Sequence, residues 1–175
     1  MGLLTLLLSF VFFAGVSMTV NEGLWSNTIT VFIIIIAALI AVPWGGIAGI
    51  AILAAAQPSE EHAWAFIFAA VWGVFALSAT IMRLIADKLS RVRMRFIPQL
   101  DKIGGALMGL VVATMFNSFL AVTLVLLPLK WGVWKVEEGS DLQQKAMSRA
   151  AAPIYTALSK FYGGEFADLI QQQKK

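Results

Sequence analysis

An all-α, polytopic membrane fold of about four transmembrane helices is the architecture this sequence predicts, and three observations carry the prediction. Only 13% of the 175 residues are charged, against about 25% in a typical soluble domain. Mean hydropathy is +0.82. Four stretches, Met1 to Asn21, Gly23 to Ser59, His62 to Met82 and Ile103 to Leu129, contain no Asp, Glu, Lys or Arg. A bilayer core of about 30 Å needs roughly 20 apolar residues of helix, and each stretch is long enough. The expected division is a four-helix transmembrane domain over residues 1–129 and an extramembrane helical tail over 130–175.

The first helix is expected from Gly2 to about Val20. No Lys or Arg precedes its apolar run, so it reads as a retained helix rather than a cleaved signal. Asn21-Glu22-Gly23 is a turn. The second segment carries Val31 to Ile36, apolar on every face, as lipid-facing or core helices are. Its 37 uncharged residues would make a helix of roughly 55 Å, and Pro43-Trp44-Gly45-Gly46 interrupts it midway. Proline removes a helical hydrogen bond, so a kinked helix from about Thr28 to Ala56 is expected, with two half-helices broken at Pro43 as the alternative.

Gln57 to Glu61 is the next turn. The third helix runs from about His62 to Ala86, with a polar helical continuation to Phe96 that Pro98 stops. Asp101 is placed to cap the fourth helix, which ends at Leu127-Pro128. The tail differs in kind, with seven basic and five acidic residues. Met147, Ala150, Ala151, Ile154, Leu158, Phe161 and Tyr162 recur at three- and four-residue steps, the stripe of an amphipathic helix. Gly163-Gly164 ends it, and a short helix over Glu165 to Gln173 is expected to follow.

Loop charge sets topology. Lys88, Arg91, Arg93, Arg95 and Lys102 lie between the third and fourth helices, and the first two connections hold no Lys or Arg. That connection is therefore expected in the cytoplasm, and both termini in the periplasm, for a multi-pass protein of the bacterial inner membrane. The same basic cluster suits anionic lipid headgroups. Arg83 and Asp87, four apart, are expected to pair on one helix face.

Small residues at four-residue spacing let membrane helices approach closely. Gly105, Gly109, Ala113, Asn117 and Ala121 form such a row on the fourth helix. Ala37, Ala41, Gly45 and Gly49 do so on the second, and Ala65, Ala69 and Gly73 on the third. Packing within one chain is the first expectation for these rows, and a homo-oligomer or another membrane or periplasmic protein is the alternative partner. Asn117, flanked by Thr114 and Ser118, is expected to find an interhelical hydrogen bond or to line a solute path.

The sequence has no cysteine and one histidine, His62, so disulfides, thiolate metal sites, cysteine nucleophiles and multi-histidine centres within one chain are excluded. No zinc-protease, serine-hydrolase or phosphate-loop motif occurs. The expectation is a non-enzymatic protein with no cofactor, no metal and no nucleic-acid partner.

Residues Arg83 to Leu129 resemble the colicin V production protein (CvpA) family. The resemblance is carried by Ala86-Asp87-Lys88-Leu89-Ser90 and by Leu100-Asp101-Lys102-Ile103-Gly104-Gly105-Ala106-Leu107-Met108-Gly109-Leu110. Asp101, Gly105 and Gly109 match the family's motif at the opening of its last membrane helix. Val112 and Ala113 stand where family members commonly carry an Arg-Gly pair. Asn21-Glu22-Gly23 keeps only the glycine of the family's Arg- and Gly-rich first turn. The resemblance implies an accessory or scaffolding role in toxin (colicin V) production or export and in envelope homeostasis. The alternative is a small transporter or channel subunit, built on Asn117, its neighbours and the Pro43 break.

Overall fold

The structure is a computed structural model that describes residues 2–58, 62–89, 97–126 and 146–163. Among these residues there is helix and no strand. The helices are α1 (Gly2–Thr19), α2 (Leu24–Ala56), α3 (Ala63–Leu89), α4 (Pro98–Leu126) and α5 (Ala152–Tyr162), with a π-helical turn at Ala146–Ala150 before α5. Arg91, Arg93 and Arg95, most of the tail's charges and the expected helix over Glu165 to Gln173 lie outside the described residues.

Leu24–Ala56, Ala63–Leu89 and Pro98–Val125 are each long and apolar enough to cross a membrane, and α1 contributes a shorter apolar helix over Leu4–Thr19. The chain is a helical membrane protein, with three such spans and this fourth, shorter helix among the described residues. Its outer surface agrees: Phe10 is 73% exposed, Trp44 63% and Leu77 63%. A monomeric soluble protein rarely shows so continuous an apolar exterior.

Successive helices alternate in direction, which leaves α2 and α4 side by side and parallel, with Leu24 at Asp101 and Asn27 at Gly105. Thr19 lies against Gly109 and Gly15 against Ala113, so α1 and α4 are antiparallel. Gly45 lies against Val71 and Gly49 against Ile67, so α2 and α3 are too. The α1–α2 turn, the end of α3 and the start of α4 consequently meet at one end of the bundle, where Glu22, Arg83, Asp87, Lys88, Asp101 and Lys102 gather. The core includes Ile34, Ala37, Ala41, Val71, Phe75, Phe119 and Val122, joined by Ile154 and Leu158 of α5. Phe75 and Phe119 stack at 4.2 Å, and Trp72 packs beside them.

Several expectations change. The second helix is unbroken through Pro43, Gly45 and Gly46 and begins at Leu24, four residues earlier than expected. A half-helix break would expose backbone polar groups to hydrocarbon, whereas a single proline leaves one carbonyl to satisfy. Gln57, in the left-handed conformation at φ 43°, ends the helix, and Pro58 disfavours its continuation. The fourth helix starts at Pro98, which places Asp101 inside its first turn rather than at its cap. The small-residue row of α3 is not a packing face within the described chain. Ala69 and Gly73 are exposed, no described atom lies within 4 Å of a Cβ built at Gly73, and α3 instead buries Ile67, Val71 and Phe75.

Candidate functional site: two polar seams in an apolar bundle

The first seam lies at the charged end. Gly23 precedes α2 with no side-chain cap of its own. The missing acceptor comes from α4: the Leu24 N–H donates to Asp101 Oδ1 at 2.9 Å. A carboxylate there satisfies one of the orphan N–H groups of a helix start and complements the positive end of its dipole.

Gly105 and Gly109 bring α4 against the same turn. A Cβ at Gly105 would overlap the Glu22 carbonyl oxygen, and one at Gly109 would lie 2.9 Å from Thr19 Oγ1. The Thr19 hydroxyl is shared between the carbonyl oxygens of Gly15 at 2.8 Å and Gly109 at 3.1 Å. Asn27, 1% exposed, spans the junction: its Nδ2 donates to Thr19 O at 2.9 Å and to Gly105 O at 2.8 Å. Its Oδ1 is buried without a hydrogen-bond partner among the described residues.

Arg83 ties α3 to this end. Its guanidinium donates to Thr30 Oγ1 at 2.9 Å and Ser26 Oγ at 3.1 Å, and Ser26 donates onward to Glu22 at 2.5 Å. The expected Arg83–Asp87 pair is present at 3.4 Å, and Glu22 lies at 4.0 Å. Lys88 and Lys102 are exposed at the same end.

The second seam holds the tail helix. Ser118 of α4 accepts a hydrogen bond from the Ile154 N–H at 3.0 Å and donates to Ala151 O at 2.9 Å. Ala151, which precedes α5, has no capping side chain, so Ser118 caps that helix across the bundle. At the other end, the Tyr162 hydroxyl donates to Leu39 O at 2.6 Å. Leu39 is four residues before Pro43, which has no N–H to give it. Of the expected tail stripe, Ala151, Ile154 and Leu158 are buried, whereas Phe161 is 68% exposed.

The polar patch expected on α4 does not converge. Ser118 faces the tail helix, while Thr114 is exposed and donates to the Leu110 carbonyl of its own helix. Asn117 Oδ1 is buried with no partner among the described residues. Thr19, Ser26, Asn27 and Thr30 carry the first seam without having been singled out as candidates. Their signal is a cluster of short polar side chains on either side of the Glu22 turn. Among the described residues no group of three or more His, Asp or Glu is placed to hold a metal ion. The chemistry of both seams is hydrogen bonding between helices.

No family model, no curated protein and no solved structure matches this chain.

Proposed function

We propose that the protein is a non-enzymatic scaffold of the bacterial inner membrane. In this reading it is an accessory factor in toxin production or export and in envelope homeostasis, of the kind the resemblance to the colicin V production protein family implies. Both termini lie in the periplasm, and the loop around Lys88 and Lys102 meets anionic headgroups at the cytoplasmic face. The observation that carries the reading is what Asp101, Gly105 and Gly109 do. The three residues of the family-like motif clamp the α1–α2 turn onto α4, by one hydrogen bond and by close backbone approach. A motif spent on helix packing suits a rigid platform for partners.

The test is deletion of the gene in its own host, reading peptide-toxin export and envelope permeability. Export should fall and permeability rise, and the intact gene should restore both, whereas a variant with Gly105→Leu should not. Unchanged export and permeability on deletion would overturn the reading. The transport alternative keeps one supporting observation, the Asn117 carbonyl buried without a described partner, because α2 runs unbroken through Pro43. Solute flux through proteoliposomes holding the purified protein would favour transport over scaffolding.

A further inference from the structure

The tail helix sits at a level of the bundle where its outer face meets a problem. Leu24 and Asp101 are hydrogen bonded, so they mark one common level at the charged end. From there, Leu39 is 15 residues along α2 and Ser118 is 17 residues along α4, which at about 1.5 Å per residue is roughly 22–26 Å. α4 continues to Leu126, roughly 37 Å from the same level. Both ends of α5 are tied at these two points, by Ser118 to Ala151 and Ile154 and by Tyr162 to Leu39. The helix therefore lies across the bundle about 11 Å or more below the far end of α4. A hydrocarbon core of about 30 Å that begins at the charged end, where Glu22, Asp101 and Lys102 gather, includes that level.

One face of α5 is fixed in the core, with Ala151 and Leu158 fully buried and Ile154 1% exposed. The opposite face carries Thr156 and Lys160, and Arg149 precedes it. All three are exposed. Ionised side chains at such depth are costly against lipid, and they are found where they face a water-filled cavity or reach the interface.

We infer that α5 is a re-entrant helix and that its Arg149–Thr156–Lys160 face forms the floor of a water-filled inlet descending into the bundle from the side of the tail. The inlet is closed below by the core under α5, where Phe119, Val122 and Leu158 are buried. This goes beyond the scaffold reading and depends only on α2 and α4 crossing the bilayer. It differs from the expected placement of the tail outside the membrane.

The chain has no cysteine, so single cysteines report accessibility without background. Thr156→Cys is the decisive variant, because its short side chain cannot reach up to an interface as Lys160 can. Leu77→Cys, on the outer apolar face of α3, is the lipid-facing control. Each variant, matched in elution to the parent in detergent, is treated with a charged, membrane-impermeant thiol reagent in right-side-out and in inside-out vesicles.

Thr156→Cys is expected to be modified to completion from one side only, while Leu77→Cys is modified only after detergent is added. Three results would overturn the inference. Thr156→Cys silent from both sides yet reactive in detergent places α5 against lipid, and that outcome leaves the export assay for the scaffold reading untouched. Modification of Lys160→Cys with Thr156→Cys silent means that only the Lys160 end of α5 lies in water and no inlet exists. Modification of Thr156→Cys from both sides means a path through the bundle rather than a closed inlet.

Discussion

The Tyr162 hydroxyl donates to the Leu39 carbonyl oxygen at 2.6 Å, and that carbonyl is the one whose helical donor Pro43 removes. The tail helix thus repairs the defect that proline makes in α2. Removing the hydroxyl with Tyr162→Phe should cost about 0.6–2 kcal/mol, the span for interhelical hydrogen bonds in membrane proteins and model peptides. Pro43→Ala returns an N–H to position 43, which can satisfy Leu39 within the helix. In that background Tyr162→Phe should cost close to nothing, so the two substitutions couple in a double-mutant cycle. Reversible unfolding in mixed micelles, followed by tryptophan fluorescence, reads all four proteins. Equal costs in both backgrounds would show that Tyr162 does not serve the proline-freed carbonyl.

Asp101 acts on a helix 77 residues away in sequence, as the acceptor for the Leu24 N–H. Asp101→Ala should lose about 0.5–2 kcal/mol, the usual cost of removing a helix cap. Asp101→Asn keeps an acceptor oxygen and should lose less, chiefly the charge–dipole part of about 0.3–1 kcal/mol. Hydrogen exchange at the first turn of α2 locates the effect. Protection should fall there in Asp101→Ala and stay unchanged at the first turn of α4. The reverse pattern would return Asp101 to its own helix.

The helical spans are legible in the sequence because hydrocarbon excludes ionised side chains, and an uncharged run of sufficient length has few other uses. The interior is less legible. Asp101 has the local pattern of an N-cap, yet Pro98 already starts α4 and leaves the carboxylate free to serve α2. Pro43 next to Gly45-Gly46 looks like a break, but a single freed carbonyl is met by a tyrosine 123 positions downstream. Asn27 shows only a short polar side chain beside the Glu22 turn, and an amide at the edge of an apolar run reads as part of that turn. Its two shortest hydrogen bonds go to carbonyls of α1 and α4, and only the tertiary fold brings those together. Caps supplied across the bundle, such as Ser118 for α5, lie beyond any rule based on neighbouring residues.

Arg83 joins four partners, but its contribution should be modest. Its ion pairs with Asp87 and Glu22 are 3.4 and 4.0 Å long, and the side chains are 40–63% exposed. Exposed pairs of this kind contribute about 0–1 kcal/mol. Arg83→Gln should therefore cost about 1 kcal/mol or less, mostly through the lost bonds to Thr30 and Ser26. High salt screens exposed charges but leaves those neutral acceptors in place. The stability difference between the parent and the Arg83→Gln variant should consequently persist in high salt, and its disappearance there would assign the effect to the ion pairs.

The glycines separate the packed helix faces from the free one. A Cβ at Gly45 would lie 2.5 Å from Val71 Cα, and one at Gly49 2.9 Å from Ile67 Cα. Both clashes are with backbone, so relief requires α2 and α3 to separate along their whole crossing. Gly45→Ala and Gly105→Ala should each cost about 1–3 kcal/mol, the range for overpacking a close-fitted interior. Gly73 has the same spacing from its small neighbours on α3, but no described atom lies within 4 Å of a Cβ there. Gly73→Ala should be neutral, or stabilising by up to about 1 kcal/mol from helix propensity alone. Unfolding of the three variants in the same micelles gives the ranking. A loss at Gly73 equal to that at Gly45 would mean that the outer face of α3 is covered in solution by a partner, with a second copy of the chain as the first candidate to test by crosslinking.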